Sequence, residues 1–221
     1  MKEQYEVVLS HLQIVDEALG IEYRDKEPFP VSIEEAKNLS DYKIIKKNNT
    51  EYVSKQGVCD GEYRITHKDK SVAYTAYYSN NKLHGPSKYF FPTGALASIT
   101  WYIHGKKQGK ASFFFPDGSL KKTLCYKDDL ADRKALYYAR DLKVETSIDF
   151  IQGVLNGEVV LYYPSGELKR RIQVKNGKRH GEDSFWDESG TLVFSFEYDN
   201  ESLLKTHVRD LVAFKYELPL A

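Results

Sequence analysis

Histidines, cysteines and carboxylates are the side chains through which this sequence could bind a metal or act as a nucleophile. Their spacing argues against both. His84 and His180 lie 96 residues apart, four turns of the 24-residue period described below, so they hold equivalent places in different repeats. His104 falls in another column, and His11 and His207 lie towards the two ends. No two histidines are four residues apart, and Cys59 and Cys125 are too distant in sequence to form a zinc pair. Each histidine therefore reads as a turn or surface residue, and no metal or cofactor is expected.

The segment from Gly105 to Ala111 has the look of a phosphate loop. The spacing between its glycines is one residue short, and Ala111 stands where magnesium needs a serine or threonine. No Gly-x-Ser-x-Gly elbow and no dinucleotide fingerprint is present. Asp128-Asp129 lies in a turn, and Cys125, on a strand, reads as packed rather than nucleophilic. The residues predict a chain that is not an enzyme.

The elements that position these side chains follow from the glycines. Thirteen of fourteen fall into three phases of a 24-residue period, and only Gly20 stands outside. One phase holds Gly61, Gly85, Gly109, Gly157 and Gly181, with Arg133 in the missing slot. A second holds Gly94, Gly118, Gly166 and Gly190, with Lys70 and Leu142 in the gaps. The third runs Gly57, Asn81, Gly105, Asp129, Gly153, Gly177, residue types that tolerate positive φ. Pro92-Thr93-Gly94 and its equivalents read as a tight turn closing on a left-handed glycine.

Two turns per period separate two short strands, one hairpin per repeat. Ile65, Tyr89, Phe113, Tyr137, Leu161 and Phe185 form an apolar column, and Tyr78, Tyr102, Tyr126, Phe150, Val174 and Tyr198 an almost wholly aromatic one. The predicted fold is mainly β: an elongated single-layer antiparallel sheet of tandem 24-residue β-hairpins, with short helical flanks at both ends.

The run Gly105-Lys106-Lys107-Gln108-Gly109 through Phe113-Phe114-Phe115-Pro116-Asp117-Gly118-Ser119-Leu120 resembles the MORN repeat, and most closely its bacterial variant of the same period. Six copies cover about two-thirds of the chain. In the fourth, Asp129, Arg133 and Leu142 replace all three glycines, so altered turns or a bend are expected at residues 124–146. The resemblance implies a binding scaffold, antitoxin-like in the bacterial variant, that sequesters a partner protein. MORN proteins are also proposed to associate with membranes, and similar repeats precede methyltransferase domains. Peripheral lipid binding and an accessory role beside a separate enzyme are therefore the alternatives.

Three regions are expected: a cap over 1–52, six repeats over 53–198 and a second cap over 199–221. Tyr5, Val8, Leu9, Leu12, Val15 and Leu19 have helical spacing before Gly20, and Ser32 with Glu35 makes a capping box. Tyr42–Lys47 and Glu51–Lys55 read as an off-phase hairpin, and Leu203, Leu204, Val208, Leu211 and Val212 as a final amphipathic helix. Caps are the usual cover for the open strand edges at the ends of a stacked array.

Thirty-two basic residues balance thirty-two acidic ones, which argues against nucleic acid as partner. Two cysteines give no disulfide framework, and the N-terminus has no basic stretch followed by an apolar run. The cytoplasm is the expected compartment.

Consecutive strand residues point to opposite faces, so aromatic ladders stand on both. Phe90, Phe114, Tyr138, Tyr162 and Trp186, with Trp101, are the predicted partner-binding residues. Which ladder is open to a partner the residues leave undecided. Lys82, Lys106, Lys107, Lys178 and Arg179 gather at the Gly-x-x-x-Gly turns, a candidate edge for anionic lipid or an acidic protein.

Overall fold

The computed structural model describes residues 30–208. The predicted helix over Tyr5–Leu19 lies outside them, as does the chain beyond Val208. The fold is mainly β, and every strand pairing is antiparallel. The chain divides into two compact units, residues 1–132 and 133–221.

The first unit opens with α1 (Ile33–Ala36) and the hairpin β1 (Tyr42–Lys47) and β2 (Thr50–Lys55). It continues through β3 (Val58–Thr66), β4 (Val72–Ser79), β5 (Lys82–Leu83), β6 (Gly85–Phe90) and β7 (Leu96–Ile103). β8 (Lys106–Lys107), β9 (Gly109–Phe114) and β10 (Leu120–Lys127) complete it, with the first residues of β11 (Leu130–Tyr138). The second unit takes β11 from Arg133 and adds β12 (Val144–Ile151), β13 (Val154–Tyr162) and β14 (Leu168–Lys175). β15 (Lys178–Trp186), β16 (Leu192–Asp199) and β17 (Ser202–Val208) follow.

The capping box forms as predicted: Ser32 Oγ accepts the Glu35 amide at 3.2 Å while the Glu35 carboxylate accepts the Ser32 amide at 2.9 Å. The box holds a single turn. Ile33 and Ala36 pack on Val53, which is fully buried, and the Glu62 carboxylate accepts the Ile33 amide at 3.1 Å.

Two turn types alternate. At Asn80-Asn81, φ is 49° and 63°, and at Asn176-Gly177 it is 52° and 78°, so both central residues are left-handed, as in a type I′ hairpin. At the other end of each hairpin the amide of Gly94 donates to Phe91 O and that of Phe91 to Ala95 O, both at 2.8 Å. One residue is then bulged from the second strand, since Tyr89 faces Ser98 but Phe90 faces Leu96. The same slip recurs at Phe113/Phe114, Leu161/Tyr162 and Phe185/Trp186.

Two expectations need correction, that of altered turns in the fourth repeat and that of a helix after Asp199. The fourth repeat keeps its turns: Asp129, Arg133 and Leu142 have φ of 70°, 66° and 66°, and Ala139 and Lys143 close the tight turn at 2.9 Å. At Leu142, pairing of β11 with β12 holds a side chain in a conformation that glycine takes without strain. Nor is there a helix from Leu203 to Val208. Asn200-Glu201 forms another type I′ turn (φ 48° and 72°), and β17 pairs with β16 from Asp199↔Ser202 to Phe194↔Val208. The apolar spacing of these few residues suits either element, and an adjacent strand edge settled it.

Candidate functional site

Within the first unit, register places Tyr52 opposite Tyr63, Ile65 opposite Tyr74, Gly61 opposite Tyr78 and Tyr74 opposite Tyr89, all on one face. Their rings touch in sequence. Tyr52 and Tyr63 stack at 5.8 Å, Tyr63 meets Tyr78 at 5.5 Å, and Tyr74 meets Tyr89 at 4.5 Å. With Cys59, Ile65 and Asn81, the rings of Tyr63, Tyr74, Tyr78 and Tyr89 line an open depression of about 370 Å³. Tyr89, at its rim, is 55% exposed. Ser87 Oγ donates to the Tyr74 hydroxyl at 3.1 Å, and Asn81 Oδ1 accepts the Cys59 amide at 2.8 Å.

The depression carries no charged side chain. Burial raises the Tyr74 phenol and pushes Tyr78 up to about 12, so both remain protonated and able to donate. Burial, helped by Asp60, pushes the Cys59 thiol up to about 11, which leaves no thiolate at neutral pH. This surface suits contact and hydrogen bonding rather than nucleophilic attack.

On the opposite face, Phe90 and Phe114 are half-buried and Trp101 is buried, 6% exposed. Trp101 is thus the least accessible of the six predicted partner-binding residues. In the second unit Tyr138, Tyr162 and Trp186 are also half-buried, and Trp186 lies 5.9 Å from the Arg171 guanidinium.

Phe185, Phe194, Phe196 and Tyr198 form their own cluster, with Phe185 and Phe194 at 4.3 Å. Two guanidiniums cover it: Arg170 lies 4.2 Å over Phe185 and Arg179 4.2 Å over Tyr198. Arg170 also grips the buried Asp183 carboxylate with two bonds of 2.8 and 2.7 Å.

The basic residues at the type I′ turns do not make a uniform positive edge. Lys106 lies 3.6 Å from Asp128, and the Lys107 amide donates to Asp129 while its ammonium sits over Tyr126 at 5.0 Å. Arg179 pairs with Glu201 at 2.9 Å. Lys82 and Lys178 are exposed.

The turns also join neighbouring repeats through a ladder of side chains that the repeat columns do not reveal. Residues 20 apart meet: Gln108 donates to Asp128 at 2.9 Å, Asn156 to Asn176 at 3.3 Å, and the His84 and His104 rings lie 5.0 Å apart. His84 and His104 belong to separate columns, and the stacking of their repeats brings them together. Among the described residues no group of three metal-ligating side chains converges, and no helix is long and apolar enough to cross a membrane.

The family model described as MORN repeat variant matches residues 107–128 and 155–176, and the MORN repeat model matches 74–96 and 173–182. No curated protein matches. Among solved structures, a chain in the crystal structure of accessory secretory protein 1, 2 and 3 in Streptococcus pneumoniae is similar at 14% identity and a TM-score of 0.32. That similarity covers 52% of this chain and 22% of the other, so the chain spans about a fifth of that protein's length.

Proposed function

We propose that this chain, a MORN repeat protein, is a non-catalytic scaffold that holds a partner protein against the tyrosine face of its first unit. MORN repeats generally serve as binding scaffolds for proteins or lipids. The observation that carries the protein reading is the line of five tyrosine rings ending at the exposed Tyr89. Tyrosine presents a large rigid ring with a hydroxyl at its tip, so it gives contact area and hydrogen bonds at small cost in side-chain entropy. Sequestration of the partner, in the manner of an antitoxin, is the form of binding that the resemblance to the bacterial variant repeat implies. Both cysteines are free and their spacing gives no disulfide framework, which supports the cytoplasm as the compartment.

Charge disfavours the lipid alternative, because carboxylates of the next turn pair with Lys106 and Arg179. Capture on the full-length chain from its native cell, followed by mass spectrometry, tests the proposal. One protein at fixed stoichiometry is expected, lost from Tyr89→Ala at an unchanged melting temperature. Retention of that protein by Tyr89→Ala would remove the tyrosine face from the reading.

A further inference from the structure

Among the described residues, β17 is paired along one side and open along the other. β15 pairs with β14 along one side and β16 along the other, whereas β17 pairs with β16 alone among the described residues. All seven of its residues are exposed, and Leu203, Leu204 and Val208 are 54, 61 and 52% accessible. An apolar edge of this length invites another strand.

The pairing shows which backbone groups are on offer. Asp199↔Ser202 closes a two-residue type I′ turn, so that pair is hydrogen-bonded and Tyr198↔Leu203 is not. Leu204 is bulged. Beyond it Glu197↔Lys205 and Ser195↔His207 are the bonded pairs, and Phe196↔Thr206 and Phe194↔Val208 the open ones. Thr206 and Val208 therefore direct their N–H and C=O groups away from β16.

We infer that β17 is an acceptor edge for an extended segment of a partner protein, which adds to the sheet as an antiparallel strand. Charge selects among occupants. The charged or titratable side chains of β17 are Lys205 and His207, both basic and on one face. Pairing two copies through Thr206 would set Lys205 opposite His207 twice. The outer edge of β1 brings Lys43, Lys46 and Lys47. A fitting strand is apolar and carries carboxylates on that face, as β16 carries Glu197 opposite Lys205.

A synthetic peptide of Leu192–Asp199, which has these properties, is the probe for the full-length chain. Saturable binding is expected, at least tenfold weaker in Thr206→Pro, since proline there removes an outward donor and spares the pairing with β16. Should Thr206→Pro not fold, the same peptide N-methylated at alternate residues decides on the native chain, and it should not bind. Tyr89→Ala should leave peptide binding unchanged, which separates this edge from the tyrosine face. Equal binding by Thr206→Pro or by the methylated peptide would overturn the inference. Slow hydrogen exchange at Thr206 and Val208 in the chain alone would do the same, showing the edge already filled by the chain itself. A dimer of the native chain that Thr206→Pro dissociates would assign the edge to a second copy instead.

Discussion

Leu142 holds a left-handed backbone at φ 66° in a turn position that four other repeats give to glycine. Its side chain is 58% exposed and offers little packing in return. A left-handed conformation costs a side-chain-bearing residue about 1–2 kcal/mol. Leu142→Gly should therefore raise stability by about 1 kcal/mol, seen as a higher urea midpoint at unchanged slope. The phenols make a pH prediction of known sign. Tyr77 and Tyr78 are pushed up to about 12 in the folded chain, by burial first, against about 10 when unfolded. The native state then holds protons that the unfolded state has released. Their contribution is fully present below pH 10 and is lost as pH rises to about 12. Urea midpoints measured from pH 9 to 12 should fall across that window, and less steeply in Tyr78→Phe.

At the scale of elements, the substitutions that break the glycine pattern prove to be joints. Asn81 and Asp129 each donate their amide to a carbonyl 22 residues earlier, at 2.8 and 3.1 Å. Each side chain also accepts the amide of that same residue, at 2.8 Å in both cases. Glu201 does the same with Arg179. Asn81→Ala loses that acceptor and forces alanine to φ 63°, so it should cost roughly 2 kcal/mol. Asn81→Gly, which keeps the turn unstrained, should cost about 1 kcal/mol. Denaturant curves of the two variants separate these effects. The hairpins were legible because glycine and its substitutes mark turns by type. The side-chain ladder was not, because it joins residues 20 and 22 apart whose types vary freely from repeat to repeat.

For the whole molecule, equal numbers of acidic and basic residues leave no net charge to draw the chain to an anionic surface. The turns repeat that balance locally, since Asp128, Asp129 and Glu201 stand among the lysines and Arg179. Vesicles containing one-third phosphatidylserine should leave the chain in the supernatant on pelleting at physiological salt. Sedimentation with the vesicles, reversed by high salt, would reinstate lipid as the ligand.

The sequence by itself determined the period, the two turns in each repeat and the strand columns, because backbone reversal restricts residue type at fixed positions. It left the two aromatic ladders equivalent, since alternation assigns residues to faces without saying which face stays open. Only the tertiary structure decided that Trp101 is buried, that Tyr89 is accessible and that Leu203–Val208 pair as a strand. Burial and pairing depend on what lies alongside each element, which for Tyr89 is a ring on the neighbouring strand and for β17 an edge that the local pattern does not announce.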